Sequence, residues 1–162
     1  MNYRFDKRTK QEFRRDIKIA SQIENKIIEL WLDRIEKRRG ERPKYWHIGC
    51  NNDGSYLEDH EVSTEADYCV YGYGKIEIKF SKPMITKCFH LKVNQVRSYI
   101  RQNANILMVN GWNTPNPMFV LIRVHVLKSG IKRWKRVSFH GCGNKPCFRI
   151  PVDEFIWRPL NG

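Results

Sequence analysis

Apolar residues recur at helical spacing between about Lys10 and Arg39, at Phe13, Ile17, Ala20, Ile23, Ile27, Leu30, Trp31 and Ile35, with Lys, Arg and Glu between them. A stripe of that period predicts a long amphipathic helix, which Gly40 and Pro43 bring to an end. Tyr45 to Cys50 reads as a short strand before the Asn51-Asn52-Asp53-Gly54 turn signal, and a polar, acidic loop follows to about Thr64. Ala66 to Tyr71 and Lys75 to Phe80 are alternating runs of β-formers. Gly72-Tyr73-Gly74 joins them and admits the positive φ angles of a tight hairpin, so two antiparallel strands are expected.

The helical period returns from His90 to Asn103 through Leu91, Val93, Val96, Tyr99 and Ile100. Ile106 to Val109 then reads as a buried strand, and Gly111 to Pro117 as a loop. Met118 to Leu127 and Arg133 to Phe139 flank Lys128-Ser129-Gly130 and predict a second hairpin, this one heavily basic. Gly141, Gly143 and Pro146 predict a turn-rich loop, and Val152 to Pro159 is expected to pack back through Phe155, Ile156 and Trp157. This order predicts an α/β fold, a sandwich of helices on a mixed central sheet. One domain, 1–162, is expected, with a core at about 10–127 and the basic hairpin and tail at about 118–162.

Composition narrows the class. The 162 residues are 41% apolar and 12% aromatic, enough for a core of ordinary size. Thirty Lys and Arg against 17 Asp and Glu leave +13, a charge that draws a protein to polyanions. The charge is uneven: residues 53–74 carry six acids and no base, whereas residues 75–162 carry 16 bases and 3 acids. A solubilising surface or an anionic membrane leaves that local acid cluster unexplained, and nucleic acid is the expected partner. Met1 to Arg15 lacks the apolar stretch of a signal peptide, and no run approaches the roughly 18 apolar residues of a membrane span. Five scattered cysteines, Cys50, Cys69, Cys88, Cys142 and Cys147, fit free thiols in a reducing compartment, so an intracellular protein is expected.

Residues two apart in a strand share a face, so Glu77 and Lys79 point one way while Ile76, Ile78 and Phe80 point into the core. A hairpin turning at Gly72-Tyr73 sets Asp67 opposite Glu77 or its immediate neighbour, and two acids converge. Such a pair repels itself unless a cation intervenes, and its hard oxygens suit Mg²⁺ or Mn²⁺. Lys79 then stands where it can stabilise charge on a transferring phosphate or help deprotonate an attacking water. Asp16-Ile17-Lys18 and Glu24-Asn25-Lys26 repeat the acid-x-Lys spacing, but on a helix those positions diverge. The same three residues also fit a solvated cross-strand ladder of ion pairs.

With an acid at Asp67 on one strand, Glu77-Ile78-Lys79 on the next and Glu24 on a preceding helix, the chain resembles the PD-(D/E)XK nuclease superfamily over roughly residues 20–110. Gln95-Val96-Arg97-Ser98-Tyr99 is similar to the Gln-x-x-x-Tyr motif of RecB-like members. Ala66 stands where the superfamily has its Pro, and Ala20 where a Gly precedes the helical Glu. The resemblance implies a restriction-endonuclease-like core. It further implies that Asp67, Glu77 and the carbonyl of Ile78 hold the metal, that Lys79 is catalytic, and that Glu24 acts through a water or second metal. Glu24 is preferred to Glu29, which also borders the apolar stripe. Gln95 and Tyr99 lie on one helix face, where they position DNA or the site, or where Tyr99 is simply core.

Lys128, Lys132, Arg133, Lys135 and Arg136, with Trp134 among them, are expected to straddle a DNA backbone from the second hairpin; a solvated edge hairpin would carry the same residues. His140, Cys142 and Cys147, with Cys50 or His125, match no recognised zinc finger. The expectation is a magnesium-dependent DNA endonuclease of the homing, restriction or junction-resolving kind, working as a symmetric homo-oligomer. The alternatives are a non-catalytic nucleic-acid-binding module of the same fold and an RNA-processing nuclease.

Overall fold

The computed structural model describes residues 8–49 and 65–162; the expected turn at 51–54 and the acidic loop lie outside the described residues. Helix α1 runs Lys10–Arg39, about 45 Å long. Thr9 caps it reciprocally with Glu12, and Gly40 closes it at φ 81°, a left-handed conformation natural to glycine. Four short strands follow, β1 (Tyr45–His47), β2 (Tyr68–Val70), β3 (Gly74–Phe80) and β4 (Cys88–Lys92), and then α2 (Val93–Arg101). The remaining elements are β5 (Asn105–Asn110), β6 (Met118–Ile122), α3 (Val124–Gly130), β7 (Lys135–Phe139), β8 (Lys145–Pro151) and β9 (Arg158–Pro159).

Six strands form one mixed sheet in the order β1-β2-β3-β5-β6-β9, in which only β3 and β5 run parallel. Strand β5 is buried at every position, as a central strand covered on both faces must be. Its alternation splits the interior in two. Leu107 and Val109 join Ile76, Ile78 and Phe119 under the α1 residues Ile27, Ile28, Trp31, Leu32 and Ile35. Ile106 and Met108 face the other way, toward Val96 and Tyr99 of α2, Leu127 of α3 and a second sheet. That sheet is antiparallel, in the order β4-β8-β7. The expected mixed sheet flanked by helices is therefore present, together with a second sheet that was not expected.

Two boundaries differ from expectation. Residues 88–92, read partly as helix, form β4, because Phe89 and Leu91 alternate into the core on either side of His90. The basic hairpin does not exist. β6 pairs with β5 and β9, residues 124–130 are helical, and β7 pairs with β8 in the other sheet. The β-forming run Val124-His125-Val126-Leu127 is helical because Asn105, buried on β5, accepts the Val124 N–H at 2.9 Å and caps the helix from another element. Gly130 leaves room for Trp134, whose indole lies 2.2 Å from where a Cβ would stand. The tail packs back through Phe155 and Trp157 as expected, but Ile156 is 84% exposed.

Candidate active site

The β2–β3 hairpin pairs Tyr68 with Ile76 across a turn in which Gly72 and Gly74 take φ of 80° and 76°. One step further along this register Asp67 faces Glu77. Tyr68 packs under α1, so its neighbour Asp67 turns to the opposite face, where Glu77 and Lys79 also point. The local pattern of alternating residues and a glycine turn is what brings the two acids together.

The site is not a solvated ladder. Glu77 is only 8% exposed, and its Oε1 accepts from the Tyr99 hydroxyl and the Lys79 ammonium, each at 2.8 Å. The Lys79 Nζ also lies 5.7 Å from the centre of the Tyr99 ring. Burial opposes the charge on Lys79, but Glu77 and Tyr99 outweigh it and hold the ammonium above its ordinary pKa. Asp67 accepts the Ile78 N–H at 2.8 Å. Burial and the charge of Glu77 nonetheless push Asp67 up to about 7, against the pull of that hydrogen bond and of Lys79. Glu24 is pushed up to about 8, first by burial and then by the charge of Asp67. The charges of Asp67, Lys79 and Glu77 also act on Glu24, although no hydrogen bond or ion pair joins it to them among the described residues. The competing Glu29 is engaged elsewhere, by Arg42 and the Tyr45 hydroxyl.

The ionic arithmetic of this cluster is unbalanced. Lys79 is the cation that contacts Glu77, while Asp67 and Glu24 meet repulsion and desolvation. Fully ionised, three carboxylates and one ammonium sum to −2 in a half-buried place, and the protein relieves that by holding protons. A divalent cation would relieve it equally, and two carboxylates with the neighbouring Ile78 carbonyl are a hard donor set that fits Mg²⁺ or Mn²⁺. Among the described residues no group of three or more His, Cys, Asp and Glu side chains is gathered as a metal cage, at 140–147 or elsewhere. The donor set here needs only two side chains.

Of the three readings open for Tyr99, contact with DNA does not fit: it is 4% exposed and its hydroxyl donates to Glu77, so it sits in the core and positions the site from there. Gln95 is half-buried one turn before it on the same helix. The basic residues of the supposed hairpin are dispersed. Lys128 sits exposed on α3, Lys132 and Arg133 occupy the following turn, and Lys135 and Arg136 start β7. Arg133 ion-pairs with Glu154, which also accepts from the Trp134 indole at 2.8 Å, so Trp134 is core and not a DNA wedge.

The second sheet supplies a cationic face that sequence reading missed. By register, Lys92, Arg149, Lys135 and Lys145 share the side turned away from Phe148 and Ile150. None of the three strands contains an acid. His90 stacks on Phe139 at 3.8 Å on the same side, and burial with the charge of Arg149 lowers its pKa. The charges were visible in the sequence; their assembly depends on β4 pairing with β8 across more than fifty residues.

Comparison of the chain with models of protein families, with curated proteins and with solved structures finds no match. Among the described residues no helix is long and apolar enough to cross a membrane.

Proposed function

We propose that the chain is a metal-dependent DNA endonuclease of the restriction-endonuclease-like fold, hydrolysing phosphodiester bonds at the Asp67–Glu77–Lys79 cluster. One observation carries the reading: an excess of carboxylates, Asp67, Glu77 and Glu24, over the one lysine, Lys79, that pairs within the cluster among the described residues. A binding module has no use for buried acids that repel its ligand, whereas phosphate hydrolysis needs them to hold a cation. Asp67, Glu77 and the Ile78 carbonyl would hold Mg²⁺ or Mn²⁺, which when bound neutralises phosphate charge and acidifies water. Lys79, anchored between Glu77 and the Tyr99 ring, presents its ammonium where charge develops on the phosphate. Tyr99 fixes the rotamer of Glu77. Glu24, which holds a proton more tightly than an ordinary carboxyl, is suited to exchange a proton with water at the edge of the site. Cutting both strands of a duplex would call for a symmetric pair of copies.

The test is cleavage of supercoiled plasmid, a synthetic four-way junction and a matched RNA duplex in Mg²⁺ or EDTA. Glu77→Gln and Lys79→Met serve as controls. Metal-dependent DNA cleavage lost in both variants is expected. Cleavage of RNA alone would move the reading to an RNA-processing enzyme, and binding without cleavage of any substrate would move it to a non-catalytic module.

A further inference from the structure

The opposite face of the main sheet carries a second basic feature. Between the C-terminal half of α1 and the β6–β9 edge lies a cleft of about 310 Å³ walled by Arg34, Arg38, Arg39, Arg123 and Arg158, with no acid in its lining. Helix α1 sorts its charges to produce this. Glu29, Asp33 and Glu36 lie on another side of the helix, where all three are gathered by Arg42. None of the five cleft arginines has a carboxylate partner among the described residues.

Three of the five guanidiniums lie over aromatic rings instead. Arg34 lies 5.4 Å from the centre of the Phe119 ring, and Arg39 and Arg123 lie 5.3 and 5.4 Å from that of Tyr73. Rings already occupied by guanidiniums offer no stacking surface to a base. What remains open is a set of forked N–H donors, the geometry that recognises phosphate. Five cations brought together with no side-chain carboxylate among the described residues to pair with them repel one another, and an anionic ligand relieves that cost.

We propose that this cleft binds the sugar-phosphate backbone of nucleic acid, as a second site remote from the point of scission. The proposal rests on DNA being the substrate of the acid site. Along α1, Arg34 and Arg38 stand about 15 and 21 Å from Glu24. The same phosphate cannot reach both places, so the cleft would engage backbone other than the scissile phosphate. The contact is to backbone, so it adds affinity and orientation without sequence preference.

The experiment measures binding of a 30-base-pair duplex in EDTA against salt concentration, for the unmodified protein, Arg38→Ala/Arg158→Ala and the charge-matched Lys26→Ala/Lys37→Ala. All four residues are exposed, so the fold should hold, and thermal unfolding of each variant checks it. The cleft variant is expected to bind more weakly and to lower the log–log salt slope by about 1.8, two phosphate contacts' worth. The control should leave the slope unchanged. Equal slopes in both variants, or no duplex binding by the unmodified protein, would overturn the proposal. So would inorganic tripolyphosphate binding that depends on Arg38 and Arg158 while duplex binding does not. Magnesium-dependent cleavage is scored separately, so persistent cleavage with unchanged slopes refutes the cleft alone. A changed slope without cleavage refutes the nuclease reading alone.

Discussion

Residues 66–80 and 118–139 look alike in sequence, each a pair of β-forming runs about a glycine-containing turn, yet only the first folds as a hairpin. At Gly72 and Gly74 the chain takes positive φ with open space around each α-carbon. That turn is a local property, and the register it sets carries Asp67 to Glu77. Gly130, by contrast, sits at the end of a helix, its missing side chain replaced by the Trp134 ring. There the determinant is distant: Asn105 caps α3, and β8 takes β7 as its partner. A turn defined by its own backbone is legible from sequence, and one defined by what packs on it is not.

The largest effect expected on the first segment is chemical. Glu77→Gln keeps an acceptor for Tyr99 but removes a charge, and should cost about 10³-fold or more in cleavage rate with the fold intact by circular dichroism. A variant that cleaves normally would reduce 66–80 to an ordinary hairpin. The largest effect on the second segment is structural: Gly130→Ala should destabilise by about 2–3 kcal/mol in urea unfolding, through the clash with Trp134. Gly72→Ala meets no atom within 4 Å and suffers only its positive φ, for about 1–2 kcal/mol. The reverse order would show that the two turns are not distinguished as described.

A pH experiment sharpens the contrast further. Asp67 and Glu24 are raised from 3.8 and 4.5 to about 7 and about 8. In the unfolded chain both ionise at their ordinary values, so the stability associated with their protonated forms is fully present below about pH 4 and is lost as pH rises through 7 to 8. Metal-free protein should therefore melt at lower temperature at pH 8 than at pH 5, and Glu24→Gln should flatten the upper part of that profile. The smallest effect belongs to the second segment's surface. Lys135→Ala should shift stability by less than about 0.5 kcal/mol, whereas Arg133→Ala, which strips Glu154 of its cation and leaves it only the Trp134 indole, should cost somewhat more.

The same contrast governs what could be read of the site. Asp67, Glu77 and Lys79 follow from strand alternation and one tight turn, whereas Glu24 came only from the resemblance to the nuclease superfamily, since Glu29 borders the same apolar stripe. The role of Tyr99 was only half visible, because a buried aromatic on an amphipathic helix does not reveal which acid its hydroxyl will meet. The cationic face of the second sheet and the arginine cleft were invisible. Lys92, Lys135 and Arg149 come together only through the pairing of β4, β8 and β7, and the cleft only when β9 returns to β6 beneath α1.

If the site works as proposed, a divalent cation displaces the protons that Asp67 and Glu24 hold. Calorimetric titration of Mn²⁺ into the protein at pH 7, in two buffers of different ionisation enthalpy, measures both events at once. One ion should bind with release of about one proton, and Glu77→Gln should abolish the binding. Absence of binding, or binding that releases no proton and survives Glu77→Gln, would rule out a metal site at these carboxylates.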